Sequence, residues 1–278
     1  MKRLFILALT ITLLLGACDR KKTAQQVEEN IQPTDTVMLD DTIKSKAIEL
    51  YTIAINARAE AHRVARVVDI EFVHDSIFVP LQTAELAQTA DQKAKLAGMY
   101  VGDAMVKRYF LGHDVKESMQ MVSKLMAELN MTVVAGEDED TGSDERLEDY
   151  ATHLVNAFKK ELDCGENVDK ELIIFNYACL EMTYLLNYIQ EVYPLEVQES
   201  HAEKYTDQMQ RSLVSLYDLL IPHYSSLAST TEIVECMRAC HLAYESKDAQ
   251  QQEAAAESMQ RTCCAQRYAL LHSLLGDE

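Results

Sequence analysis

Residues 171–190 read ELIIFNYACLEMTYLLNYIQ, and this stretch decides the fold. Its apolar residues return every three or four positions, which is the period of one face of an α-helix. The pattern predicts a strongly apolar helix over residues 171–193 that ends before Pro194, with Glu181 inside the apolar stripe. A helix of this kind is buried among other elements. The stripe comprises Ile174, Ala178, Leu185 and Tyr188.

The same helical period runs through most of the chain. Glycine and proline are scarce, at eight and four residues, and several of them stand at apparent helix ends. The sequence has no Trp, no glycine-rich phosphate loop and no Gly-x-Ser-x-Gly motif. We therefore predict an all-α fold, a multi-helix antiparallel bundle or α-hairpin array of about eight helices. The predicted helices cover residues 42–68, 91–111, 114–129, 144–162, 171–193, 197–224, 231–246 and 248–275, and the sixth of them is expected to kink or stop near Pro222.

One segment has no helical period. Residues 69–81, DIEFVHDSIFVPL, are rich in β-branched and aromatic side chains and contain Pro80, which fits either an extended segment or a short irregular helix. Glu71 and His74 form a Glu-x-x-His pair within it. A di-iron site in a helical bundle needs two such pairs and two further glutamates, and the chain has no second pair. We predict no metal here.

The N-terminus has the features of a bacterial export signal. Lys2 and Arg3 precede an apolar run over residues 4–15, which is too short to span a membrane. The run ends in Leu-Gly-Ala-Cys at residues 15–18, which resembles the lipobox of bacterial lipoproteins. The resemblance implies that residues 1–17 are a signal peptide and that the Cys18 thiol is lipidated. An ordinary secreted protein with a chance cysteine is the alternative.

A polar stretch follows the cysteine. Residues 18–41 contain Pro33 and no apolar period, and we interpret them as a flexible tether before a helical domain over residues 42–278. The membrane would be the first partner, through the acyl chains on Cys18. The basic residues of the tether could also rest on anionic headgroups. These are Arg20, Lys21 and Lys22.

The chain is strongly acidic. It carries 45 Asp and Glu residues against 26 Lys and Arg, a net charge of −19. Removal of Lys2 and Arg3 with the signal peptide would take the net charge from −19 to −21. Such a surface repels phosphate backbones, so nucleic acid is not an expected partner.

Three stretches, residues 96–131, 171–190 and 211–246, resemble in this order a group of Bacteroidota envelope lipoproteins of unknown function. The resemblance implies an all-α envelope lipoprotein and no known activity. It also implies a periplasm-facing location rather than the cell surface, because surface-export signals in that group are acidic after the cysteine. His223 before Tyr224, and Asn130 where the group has glycine, depart from the pattern, although Asn tolerates a left-handed cap. The matching residues are Tyr100, Asp103, Phe110, Glu181, Leu220 and Pro222.

Two carboxylates stand inside apolar helix stripes. Asp103 and Glu181 are costly in a core unless they are paired. We hypothesise that they face each other or a common cavity, with Tyr100, Tyr184 and Tyr188 as hydrogen-bond donors. A desolvated pair of this kind can have raised pKa values and perform acid–base chemistry. The favoured alternative is a satisfied polar network, through Tyr hydroxyls or an Arg, that fixes the helix register.

The cysteines leave three interpretations open. In an oxidising compartment an even number invites disulfides, and one or two bridges could join the last two helices. Buried thiols are the commonest alternative, and zinc with His241 is the third, although the spacing matches no zinc motif. Besides Cys18 the cysteines are Cys164, Cys179, Cys236, Cys240, Cys263 and Cys264, of which the last four are the disulfide candidates.

An acidic loop resembles a calcium-binding loop in part. Counted from Glu137, Gly142 falls at position 6 and Glu148 at position 12. Glu137 and Thr141 stand where such loops prefer Asp or Asn. A solvated acidic loop is the favoured interpretation.

From these observations we expect a membrane-anchored periplasmic lipoprotein, and a non-enzymatic domain that binds or scaffolds another envelope protein. The alternatives are a small-molecule or metal carrier and an enzyme that uses the Asp103 and Glu181 pair. The sequence indicates no cofactor.

Overall fold

The computed structural model describes residues 39–64, 75–110, 114–131, 162–163, 165–192 and 202–275. The predicted all-α fold is confirmed, since these residues contain seven α-helices, three 3₁₀ helices and no strand. The α-helices are α1 (Asp41–Val64), α2 (Ala90–Phe110), α3 (Lys116–Glu128), α4 (Val168–Val192), α5 (Ala202–Leu220), α6 (Thr231–Ser246) and α7 (Ala249–Leu275). The 3₁₀ helices are Asp75–Ile77, Leu81–Leu86 and Ser225–Thr230.

Most predicted helix ends lie within a few residues of the observed ones. The helix predicted over residues 197–224, with a kink or a stop near Pro222, does stop there, because α5 ends at Leu220, two residues before the proline. Proline has no N–H to donate and disfavours helical backbone in the residue before it. Several predictions lie outside the described residues, namely Cys18, the tether, Glu71, His74, the acidic loop, Cys164 and the helix at 144–161.

Local chemistry explains where the helices stop and start. Asn130 follows α3 with a φ of 57°, the left-handed cap conformation predicted for it. The Asp114 carboxylate accepts the Lys116 N–H at 2.9 Å at the start of α3, as expected of a capping residue. Asp248 accepts the Gln250 N–H at 2.9 Å before α7. These short polar signals therefore set the helix boundaries.

Three pairs of described helices that follow one another in the chain pack side by side, α2 with α3, α5 with α6 and α6 with α7. At the α6–α7 contact, Cys236 lies against Thr262 and Cys240 against Ala255, so these helices are antiparallel. Helix α5 also packs antiparallel to α6, and α1 packs against α5. On the other side, α7 packs on α4, α4 on α2 and α2 on α3. The described helices thus form a continuous series from α3 to α1.

Helices α2 and α4 form the most extensive contact and run parallel, in contrast to the expected antiparallel pairs. Gly98 lies against Ile174 and Tyr177, and Gly102 one turn later lies against Glu181. A Cβ atom at Gly98 would be 2.5 Å from the Ile174 carbonyl oxygen. The two glycines therefore let the helix backbones approach closely.

A single apolar core joins the elements. It includes large side chains that are almost fully inaccessible, such as Leu50, Met99, Tyr100, Leu172 and Met182. Among the described helices, none combines the length and apolar character that a membrane crossing requires.

Candidate functional site

The structure brings Asp103 and Glu181 together at the α2–α4 crossing. Asp103 follows Gly102, and a Cβ at Gly102 would lie 2.8 Å from the Glu181 Cβ. Asp103 is 1% exposed and Glu181 is not exposed at all. Both carboxylates therefore lie in the core, where each needs partners to offset the loss of water.

Arg267 of α7 is the principal partner of Glu181. Its Nε donates to both Glu181 oxygens at 2.9 Å, and its Nη2 donates to the Ile77 carbonyl oxygen at 2.8 Å. The guanidinium also lies over the Tyr184 ring, with Cζ 4.3 Å from the ring centre. One arginine thus joins α4, α7 and the segment after residue 75.

Asp103 and Tyr100 of α2 bind the same segment through its backbone. The Val79 N–H donates to Asp103 Oδ2 at 2.9 Å. The Tyr100 hydroxyl donates to the Pro80 carbonyl at 2.9 Å and contacts the Leu81 carbonyl at 3.2 Å. Residues 77–81 run from the end of one 3₁₀ helix to the start of the next, and they lack the hydrogen-bond ladder of an α-helix or a sheet. Side chains from α2 and α7 therefore satisfy backbone groups that would otherwise be buried without partners.

Burial disfavours the charged form of both carboxyl groups. Burial raises the pKa of Asp103 well above the ordinary aspartate range, and the charge of Glu181 raises it further. Burial also raises the pKa of Glu181, although the Arg267 charge and a hydrogen bond with Asp103 oppose this shift. Burial likewise raises the pKa of the Tyr100 hydroxyl, with a second contribution from Asp103. The two carboxyls are close enough to hydrogen-bond and to compete for one proton.

The tyrosines have roles other than the hypothesised ones. The Tyr100 hydroxyl binds backbone carbonyls rather than a carboxylate. Tyr184 presents its ring to Arg267, and Tyr188 is 39% exposed on the outside of α4. The structure thus brings Asp103, Glu181, Tyr100 and Tyr184 into one region and leaves Tyr188 at the surface.

Cys236 and Cys240 of α6 lie at the interface of this helix with α7, whereas Cys264 of α7 is exposed. The Cys236 Sγ is 3.2 Å from the Thr262 Oγ1, and the Cys240 thiol donates to the Ala255 carbonyl at 3.7 Å. Cys263 is not exposed. Cys236, Cys240 and Cys263 are thiols in the structure. A disulfide among these three cysteines and Cys264 stays a prediction.

His241 lies on the opposite side of α6 from this interface. Its Nδ1 hydrogen-bonds Asp207 of α5, and Arg211 binds both Asp207 and Glu245. This arrangement does not support zinc bound by His241 and the cysteines. Among the residues that the structure describes, no group of three or more His, Cys, Asp or Glu residues is arranged to hold a metal ion.

Arg267 is the residue of the site that the sequence analysis did not identify. A signal for it exists, because Arg267 lies four positions after Cys263 and three before Leu270, both of which are buried. It therefore occupies the apolar stripe of its own helix, as Asp103 and Glu181 do.

No protein-family model matches this chain, and no curated protein and no solved structure matches it. Its function has to be inferred from its own residues.

Proposed function

We propose that this chain is a lipid-anchored protein of the bacterial envelope, and that its helical domain binds or scaffolds another envelope protein without catalysis. The lipobox at residues 15–18 supports the anchor at Cys18. The likeness of residues 96–246 to Bacteroidota envelope lipoproteins supports the compartment, and the basic residues after Cys18 support the periplasmic side.

The non-enzymatic part of the proposal rests on the fact that protein groups already occupy carboxyl oxygens of both Asp103 and Glu181. A general acid or base has to come within hydrogen-bond distance of a proton on its substrate. Arg267 occupies both oxygens of Glu181, and the Val79 N–H occupies one oxygen of Asp103. The backbone of residues 77–81 thus takes the place that a substrate would need. This supports a structural role for the pair.

The raised carboxyl pKa values favour the alternative, a carrier or an enzyme that uses Asp103 and Glu181. Native mass spectrometry of the full chain, purified gently from its own envelope, separates the two proposals. A complex with one protein partner of fixed stoichiometry, unchanged in Asp103→Asn, supports the scaffold. A bound small molecule or metal ion that Asp103→Asn loses contradicts it.

The anchor is tested by metabolic labelling with radioactive palmitate. We expect the label on the wild-type chain and its loss in Cys18→Ala, because only a lipidated thiol carries the acyl chains. Cys264→Ala, which changes a cysteine near the other end of the chain, is the matched control and should label like wild type. Equal labelling of Cys18→Ala and wild type, or no labelling of either, contradicts lipidation at this position.

A further inference from the structure

The two buried carboxyl groups are not equivalent. Both oxygens of Glu181 accept from Arg267 Nε, a charged donor. Asp103 has one neutral donor, the Val79 N–H on Oδ2, and its Oδ1 is buried without a hydrogen-bond donor. An ionised Asp103 would thus leave a charged oxygen in the core with nothing to bind it. That arrangement is among the most costly that a protein interior can contain.

The surrounding charges do not remove this cost. The charge of Lys107 on α2 lowers the pKa of Asp103, but the Lys107 Nζ lies over the Phe78 ring, 4.3 Å from the ring centre. Arg267 already donates its hydrogen bonds to Glu181 and to the Ile77 carbonyl. The segment 77–81 contributes backbone groups only. The titratable and charged groups around the pair are Tyr100 and Lys107 of α2, Tyr184 of α4, and Cys263 and Arg267 of α7.

We propose that Asp103 binds a proton at neutral pH and donates it through Oδ1 to Glu181, so that Asp103, Glu181 and Arg267 together carry no net charge. The proton comes from solvent during folding. With the proton bound, Asp103 Oδ1 no longer needs a donor and itself donates a hydrogen bond to Glu181. Glu181 can accept this bond because its oxygens retain free lone pairs beside Arg267. Asp103 Oδ2 continues to accept the Val79 N–H. Every polar atom of the pair then has a partner.

The bound proton links stability to pH. Burial and Glu181 raise the pKa of Asp103 in the folded state, whereas an unfolded aspartate titrates at about 3.9. Between these values the folded chain binds more protons than the unfolded chain does. The contribution of Asp103 to stability is therefore complete below pH about 4 and decreases as the pH rises to the folded-state pKa.

Two single-atom substitutions distinguish which carboxyl holds the proton. Asp103→Asn reproduces a protonated aspartate, because its carbonyl can accept the Val79 N–H and its amide can donate to Glu181. Glu181→Gln removes the charge that balances Arg267. In urea unfolding of the full chain at neutral pH, we expect Asp103→Asn to keep the wild-type midpoint and Glu181→Gln to lower it. Relative to wild type, Asp103→Asn should gain stability as the pH rises.

Infrared spectroscopy gives a second readout that does not depend on the stability of a variant. A protonated carboxyl has a carbonyl stretch above the amide band, and that stretch shifts in D₂O. We expect this band in the wild type at neutral pH and its absence in Asp103→Asn. The control is Asp218→Asn, which changes an exposed carboxylate paired with Arg238 and should leave the band in place.

The proposal is overturned if Asp103→Asn lowers the midpoint as much as Glu181→Gln does. It is also overturned if the carbonyl band is absent from the wild type, or if it persists in Asp103→Asn. A persistent band would assign the proton to Glu181.

Discussion

Arg267 is the residue that makes the buried carboxylate of Glu181 tolerable. It reaches Glu181 and the Ile77 carbonyl at once, through two different nitrogens of one rigid guanidinium. A lysine could not reproduce this geometry, because its ammonium group is a single point of charge. The side chain therefore satisfies a charge and a backbone group with one buried cation.

Arg267→Met should destabilise the fold by about 3–5 kcal/mol, the usual effect of removing one partner from a buried ion pair. The reason is that Glu181 is left charged and wholly buried. Chemical denaturation of the purified chain measures the change in the free energy of unfolding.

Arg238→Met is the matched control for that variant. Arg238 also binds a carboxylate through two nitrogens, at 2.8 and 3.1 Å from Asp218, but this pair is exposed. Its loss should cost about 0–1 kcal/mol. Similar losses for the two variants would mean that Arg267 acts through packing and not through its charge.

The two acidic residues of the site were predicted from the sequence, whereas its basic residue, Arg267, was not. Asp103 and Glu181 attract notice because an acid in an apolar stripe is unusual. The same test applied to cations would have found Arg267 between Cys263 and Leu270. The donor Val79 N–H could not be found in this way, because a backbone group has no sequence signal and its position depends on the tertiary fold.

At the scale of elements, the α2–α4 crossing holds the site in place. Gly98 and Gly102 occupy one face of α2 at a spacing of four residues, so the parallel helix α4 can approach along a full turn. The Gly-x-x-x-Gly spacing is visible in the sequence, yet its meaning depends on which helix lies opposite. The chain order alone does not show that α4 is this partner.

Gly102→Ala should destabilise the protein even though alanine favours a helix by about 0.5–1 kcal/mol relative to glycine. The added methyl group would lie 2.8 Å from the Glu181 Cβ and 3.1 Å from the Ala178 carbonyl oxygen. Overpacking of this kind typically costs about 1–3 kcal/mol. Thermal unfolding followed by circular dichroism measures the effect.

Ala127→Leu adds more volume on the exposed face of α3 and serves as the control. It should change the stability by less than about 0.5 kcal/mol. An increase in stability for Gly102→Ala would contradict the close approach of the two helices.

The segment at residues 75–86 explains the limit of the sequence analysis at this scale. The sequence predicts an extended or irregularly helical conformation for residues 69–81, and within the described part of the chain two short 3₁₀ helices, Asp75–Ile77 and Leu81–Leu86, are joined by Phe78, Val79 and Pro80. The residues have no period because their conformation is imposed by side chains of α2 and α7. The segment that the sequence pattern did not assign and the buried pair Asp103 and Glu181 therefore belong to the same site.

At the scale of the whole molecule, the all-α fold was predictable because most helices repeat an apolar stripe. The stripe of α6, for example, predicts residues 231–246, and the structure has Thr231–Ser246. The order in which the helices pack was not predictable, because several faces are equally apolar. The polar contacts between helices, such as Asp207 with His241, carry part of that information.

The net charge of −19 predicts a response to salt. Many of the basic residues that the structure describes already have an acidic partner, so the surplus is carboxylate that repels carboxylate. At 0.1 M sodium chloride the Debye length is about 10 Å, so the repulsion between exposed carboxylates farther apart than this is largely screened. We expect the melting temperature to rise as the ionic strength increases to the physiological range, by about 2–4 °C for each kcal/mol gained.

Differential scanning calorimetry at constant pH measures this response. Potassium chloride at the same concentrations is the control, since screening depends on the ionic strength and not on which monovalent cation supplies it. A melting temperature that falls with added sodium chloride would mean that the ion pairs outweigh the general repulsion.

The bond between Ile77 and Arg267 joins positions that are 190 residues apart. Synthesis proceeds from the N-terminus, so α2 and α4 exist well before α7 does. Until residue 267 has been made, the Ile77 carbonyl lacks its donor and Glu181 lacks its counter-charge. Helix α7 therefore completes a part of the molecule that was synthesised much earlier, and the native partners of the Ile77 carbonyl and of Glu181 are in place only after residue 267 has been made.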